Sequence, residues 1–216
     1  MITKEFFEKG IAFSAKIIES LRKSPTPYHV VENSINKLCK QGFKPLPENE
    51  IWNNLNPGDK FFITRNQSSI IAFSLGKNFD CKKSCFKIVG AHTDSPAIRL
   101  CPNSKVSKTG FQQVAVTLYG GGIWHTWFDR DLTIAGKVII SKNNKMESKL
   151  LDPGEAILRI PNLAIHFTRS YDKFEFNLET HTRPLFASQI IDSFYSQEEK
   201  GSTTWDNILD YVASKL

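Results

Sequence analysis

No stretch of this 216-residue chain approaches the roughly 18 consecutive apolar residues that a membrane-spanning helix needs, which excludes a helical membrane span. The amino terminus, MITKEFFEKGIAF, has no basic segment leading into an uninterrupted apolar stretch, so it does not read as a secretory signal. These two absences point to a cytoplasmic protein with no membrane partner. In that compartment the triplet Asn66-Gln67-Ser68 is a chance match to a glycosylation acceptor, because glycosylation requires secretion. Cysteine is scarce, at four residues, Cys39, Cys81, Cys85 and Cys101. Two disulfides would require an oxidising compartment, so free, buried thiols are expected. A basic arm is missing as well. The net charge of +6 is dispersed over Lys4, Lys23, Lys40, Lys60, Lys82 and onward, without interleaved aromatics, which describes a solvated surface and no nucleic-acid partner. Such a surface is compatible with acidic small molecules approaching. There is no internal repeat and no low-complexity segment.

What the chain does have is apolar material for a core: 40% hydrophobic residues and 16 Phe. Between about Thr3 and Leu21, Phe6, Phe7, Ile11, Ala12, Ala15, Ile18 and Leu21 recur at helical spacing behind a plausible N-cap at Thr3. SPTPYH breaks the chain, and a second helix carries Val30, Val31, Ile35 and Leu38 up to a C-terminal cap at Gly42. KFFITRN, SIIAFSLG and CFKIVGA then read as three strands of one sheet, with His92 at the end of the last. After Pro96 the texture changes. FQQVAVTLYGG, LTIAGKVII, EAILRI and LAIHFTR are strand-like runs separated by Gly, Asn and Pro, which predicts a largely β second domain. From about Ala187 to Leu216 the pattern returns to helix. The expected organisation is therefore an α/β region over residues 1–95 and a β-rich region over 96–216.

The segment KIVGAHTDSPAIRL carries the clearest chemical signal. In extended chain, residues i and i+2 lie on one side, so Asp94 can reach the ring of His92. A metal-ligating imidazole donates one nitrogen to the ion and needs its other N–H held by an acceptor, a role that a carboxylate fills well. The same two residues also fit a turn histidine beside an Asp that caps the following turn. α/β folds place their sites beyond the carboxyl ends of strands, which is where His92 falls.

GAHTDSP, followed by GFQQVAVTLYGGGIWHTWFDRDLTIAGKV, ILRIPNLAIHF and ETHTRPLFASQI, resembles the M18 family of metallopeptidases, the aspartyl aminopeptidases. The resemblance begins at SPTPYH, keeps the family's order and covers most of the chain. It implies the start of a zinc-peptidase α/β domain in residues 1–95, followed by a β-rich dimerisation domain in 96–216 that is incomplete here. The implied activity is hydrolysis of peptides after an N-terminal Asp or Glu, with two zinc ions per active site and homo-oligomerisation through the β-rich domain. His92 matches the family's early zinc ligand and Asp94 the carboxylate beside it. His166, in PNLAIHF, matches a histidine that reaches the substrate in a partner subunit. The remaining ligands and the general base fall in the family's C-terminal half, which this chain lacks.

One histidine does not make a catalytic zinc site, which normally takes three protein ligands. His29, His125 and His181 lie in segments that do not complete one, and Cys81, Cys85 and His92 fit no compact zinc spacing. The three glycines of YGGGIW lack the pattern of a phosphate loop and read as a tight turn. Asp129, Arg130 and Asp131 read as a structural ion-pair network, and His181 as a hydrogen-bonded structural residue. Two functions from different classes follow: a subunit of a zinc aminopeptidase, or a non-catalytic assembly module that associates with full-length subunits.

Overall fold

The computed structural model describes residues 3–80, 82–167, 173–190 and 211–216. The chain divides into two compact units, Met1–Ser95 and Pro96–Leu216. In the first, helix α1 spans Lys4–Arg22, and the Thr3 hydroxyl accepts a hydrogen bond from the Phe6 N–H as the N-cap. Helix α2 spans Pro27–Lys40 behind an N-cap at Thr26, with proline in its first turn, where no backbone donor is needed. It ends as its sequence requires. Gly42 adopts φ +81°, its N–H donates to Cys39 O, and Phe43 N–H donates back to Leu38 O. This double bond is a Schellman cap, in which glycine takes the left-handed turn without a Cβ penalty.

Strand β1 (Lys44–Pro45) pairs in parallel with β2 (Lys60–Arg65), which pairs antiparallel with β3 (Ser69–Ser74). Asn66 and Gln67 both take positive φ at the β2–β3 turn, closed by the Ser68 N–H on Arg65 O at 3.1 Å. Helix α2 lies against β2 and β3, and Val31, Phe62 and Ile63 are buried. Burying each such side chain stabilises by about 1.5–3 kcal/mol.

CFKIVGA departs from expectation, because residues 85–91 form no strand. Phe86, Ile88 and Val89 are 83%, 87% and 96% exposed. An apolar run without alternation suits a strand buried on both faces, which needs hydrogen-bonded neighbours and cover on both sides. Among the described residues nothing pairs with this one.

In the second unit, β4 (Ala97–Lys108) and β5 (Phe111–Tyr119) form a hairpin whose two turn residues, Thr109 and Gly110, both have positive φ. Strands β6 (Asp131–Leu132), β9 (Leu158–Arg159) and β10 (Leu185–Ser188) complete a sheet of order β4-β5-β10-β9-β6. A separate hairpin joins β7 (Gly136–Lys142) to β8 (Lys145–Leu151) through Asn143 and Asn144, again at positive φ. The core centres on Val114 and Leu158, with Val116, Leu132, Ile134, Ile157 and Phe186 packed against them. The β-rich texture expected after Pro96 is present.

Three local expectations differ. LAIHFTR holds a short 3-10 turn at Ile165–Phe167 where a strand was expected. Leu163, Ile165 and Phe167 alternate as a strand face would, yet all three are exposed, so no sheet selects the pattern. The expected C-terminal helix begins later than Ala187, which belongs to β10; residues 191–210 of it lie outside the described residues, and 211–214 are helical. The thiols are free as expected but not buried: Cys39 and Cys85 are exposed and Cys101 is half-buried, while Cys81 lies outside the described residues. Cys39 falls in the last turn of α2, near its solvated end.

Candidate functional site

His92 and Asp94 stand in an irregular segment after the unpaired run. A hydrogen bond from the Thr93 hydroxyl to Ser68 O, 2.9 Å, ties this segment to the β2–β3 turn. His92 Nδ1 lies 2.8 Å from Asp94 Oδ1. A carboxylate only accepts, so the ring donates through Nδ1–H and its Nε2 lone pair is left available. The His92 side chain is 90% exposed and that of Asp94 36%, so Nε2 faces outward from a ring whose rotation the carboxylate restrains. This is the arrangement of a metal-ligating histidine, with the acceptor that fixes its tautomer in place.

Fit to a zinc ion can be tested on the donor set. Among the described residues there is no group of three or more His, Cys, Asp or Glu side chains placed to hold a metal. His29 is buried in α2, its Nδ1 2.7 Å from the Thr26 hydroxyl, and is occupied structurally. The described residues therefore offer one histidine with an available Nε2 and do not close a catalytic site.

In the second unit His166 sits on the exposed 3-10 turn Ile165–Phe167. The backbone before it is fastened to the TWFDRDL segment. The Asp129 N–H donates to Ile160 O at 2.8 Å, and Asp129 Oδ1 accepts from the Asn162 N–H at 2.9 Å. Asn162 Oδ1 accepts from the Leu163 N–H at 2.8 Å. Beside them Asp131 forms an ion pair with Arg159 at 2.9 Å across the β6–β9 pair. Phe128 meets Phe174 and Phe176 edge-on, with centroids 5.1 and 4.8 Å away. Asp131 thus belongs to an ion pair, whereas Asp129 acts on loop backbone. Its carboxylate was legible in the sequence, but its φ of +56° and its loop partner were not.

YGGGIW is a turn. Gly120 takes φ +79° against Pro96, and a Cβ on Gly122 would lie 2.6 Å from the Trp124 ring. His181 is structural: its Nδ1 accepts from the Asn177 N–H at 3.1 Å, and its own N–H donates to Asn177 O at 3.0 Å. His125 lies in the 3-10 turn Trp124–Trp127.

A family profile described as "Aminopeptidase I zinc metalloprotease (M18)" matches residues 20–216. The chain belongs to the M18 family. Among the relatives of this M18 chain, the aspartyl aminopeptidase of Dictyostelium discoideum is 45% identical over 186 residues, covering 85% of this chain and 38% of that protein. The chain thus spans well under half the length of the relatives it matches. Among solved structures, the cryo-EM structure of the Ape4 and Nbr1 complex covers 100% of this chain and 42% of that one, with TM-score 0.89 and 37% identity. The mApe1 dodecamer of baker's yeast covers 94% of this chain and 44% of that one, with TM-score 0.72 and 30% identity. The mixed α/β fold is thus that of M18 aminopeptidases.

Proposed function

We propose that this M18 chain serves in a zinc-dependent aminopeptidase that removes N-terminal Asp or Glu from peptides in the cytoplasm. The observation that carries this reading is the His92–Asp94 pair, an outward-facing imidazole whose second nitrogen is held at 2.8 Å by a carboxylate. Aspartyl aminopeptidases as relatives, and a zinc metalloprotease family, support the substrate class and the metal. In this reading His92 gives one metal ligand, Asp94 orients it, and His166 contacts the substrate in a neighbouring subunit. The metals, two per site in the complete enzyme, would act as Lewis acids on the scissile carbonyl and as activators of water. The β-rich unit would carry homo-oligomer contacts, a reading that the dodecamer among its structural relatives supports.

A second reading is favoured by the donor set, which is incomplete among the described residues: by itself the chain is a non-catalytic assembly module. Hydrolysis of aspartyl and glutamyl substrates by the 216-residue chain, with metal analysis after dialysis, separates the two. No turnover and no stoichiometric zinc is the expected result for the chain alone. Zinc-dependent turnover by it would overturn the ligand count. Where subunits carrying the remaining ligands restore activity, mixing His92→Ala with His166→Ala subunits should return part of it. Confirmed subunit exchange with no recovery would remove His166 from the partner's site.

A further inference from the structure

The proposed role of His166 requires an exposed histidine to be held in register, although its own turn spans only Ile165–Phe167. Of the described residues around it, Asp129 makes contacts that can do this. We infer that Asp129 is a positioning residue, which fastens the segment over 160–167 and so sets where His166 projects. The inference rests on the reading of His166 given above.

Three observations carry it. Asp129 grips the segment at two points two residues apart, donating its N–H to Ile160 O and accepting the Asn162 N–H on Oδ1. Ile160 is 0% exposed, so one end of the grip is locked into the core while the other reaches the surface loop. Asp129 also holds φ +56°, a conformation that L residues rarely adopt and that Asp and Asn tolerate best. The strained backbone aims both its amide and its carboxylate at the same loop. A carboxylate accepting a backbone N–H is a charge-assisted bond, stronger than a neutral one. From Asn162 the restraint passes to the Leu163 N–H, three residues before His166. Beside it Asp131 pairs with Arg159 across β6 and β9, and the Phe128 ring meets Phe174 and Phe176.

The substitutions that test this follow from the backbone. Asp129→Gly keeps the positive φ and the N–H to Ile160, and removes only the acceptor. Asp129→Asn keeps an acceptor and tolerates the same φ. Amide hydrogen exchange is measured on the 216-residue chain, with the Val114 amide, which donates to Pro184 O, as internal reference. Asp129→Gly is expected to speed exchange at Asn162 by roughly tenfold to a hundredfold relative to Val114, the factor that corresponds to a hydrogen bond to a charged group. The His166 Cε1–H resonance should move to its unfolded-chain position, and Asp129→Asn should restore both signals. Unchanged exchange at Asn162, or exchange rising equally at Asn162 and Val114, would overturn the grip. In an assembly that hydrolyses aspartyl substrates, Asp129→Gly should lower kcat with little change in KM, the effect expected also of His166→Ala. If His166→Ala leaves kcat unchanged, the substrate role of His166 falls, while the exchange ratio still decides the role of Asp129.

Discussion

Replacing Asp94 by asparagine should change which nitrogen of His92 carries the proton. In the native pair the carboxylate can only accept, so at 2.8 Å it selects the Nδ1–H tautomer and leaves Nε2 free. An asparagine can present either its oxygen to Nδ1–H or its NH2 to a bare Nδ1, so the selection is lost. The magnitude follows from exposure. With the His92 side chain 90% in solvent, the contact has the strength of an exposed pair, about 0.2–1 kcal/mol, not that of a buried one. That corresponds to a tautomer ratio altered by about 1.4- to 5-fold. Long-range proton–nitrogen correlation spectra of the chain, recorded in alkaline buffer where an imidazole is neutral, read the ratio directly. The ratio of Nδ1–H to Nε2–H should be higher in the native chain than in Asp94→Asn by that factor. A ratio unmoved by the substitution would refute the orienting role. In a metal-replete assembly the same change should weaken zinc affinity or activity by roughly 10- to 100-fold, because such outer partners tune the ligand.

Gly122→Ala would place a methyl group 2.6 Å from the Trp124 ring, forcing the indole aside. A cost of about 1–3 kcal/mol is expected, at about 2–4 °C of melting temperature per kcal/mol for a chain of this size; a circular dichroism melt unchanged from the native chain would contradict it. Hydrogen bonds from Lys215 and then Tyr211 hold the Glu155 carboxyl below its ordinary range. A lowered carboxylate stabilises fully above its unfolded pKa and loses that contribution as pH falls through the folded one, so the 211–216 end should detach only below the ordinary carboxylate range. The Tyr211 ring resonances report it, and Glu155→Gln should free them at neutral pH. The exposed run at Phe86, Ile88 and Val89 should drive self-association. Ile88→Lys with Val89→Lys should shift the chain toward monomer in light scattering, and an already monomeric native chain at micromolar concentration would refute this.

The elements that were legible are those whose own residues decide them. Thr3 caps α1 with its side chain, Gly42 turns α2 off with a positive φ, and KFFITRN pairs with SIIAFSLG across a short turn. The His92–Asp94 contact was legible for the same reason, since two neighbours can settle it between themselves. What was not legible depends on distant partners. Residues 97–108 form the longest strand among the described residues, in a stretch where no strand was expected; Cys101 to Ser104 fall where the register shifts between Leu100 and Lys105. A proline at such a shift gives up no ladder hydrogen bond, so the strand continues past it. Conversely, 85–91 has strand composition and lacks a strand's neighbours among the described residues. LAIHF alternates as a strand would, but Asp129 bonds the loop before it and the chain turns there instead.

Two kinds of incompleteness meet at one place in the first unit. Among the described residues Phe86, Ile88 and Val89 have no strand beside them, and His92, three residues after Val89, has no further metal-binding side chains grouped with it; in the proposed reading it requires them around Nε2. Both needs concern the same short segment, and the Thr93–Ser68 bond already anchors its far end. A surface that pairs with 86–90 would add a backbone restraint close to a ring that is 90% exposed and held on one side by Asp94. In the proposed reading, strand pairing at 86–90 and ligand supply to His92 are then expected to be coupled. Breaking that pairing by Ile88→Pro, which removes a ladder donor, should lower zinc affinity of the complete assembly although no ligand is touched. Native affinity in that variant, with the assembly intact, would separate the two and leave His92 dependent on Asp94 alone.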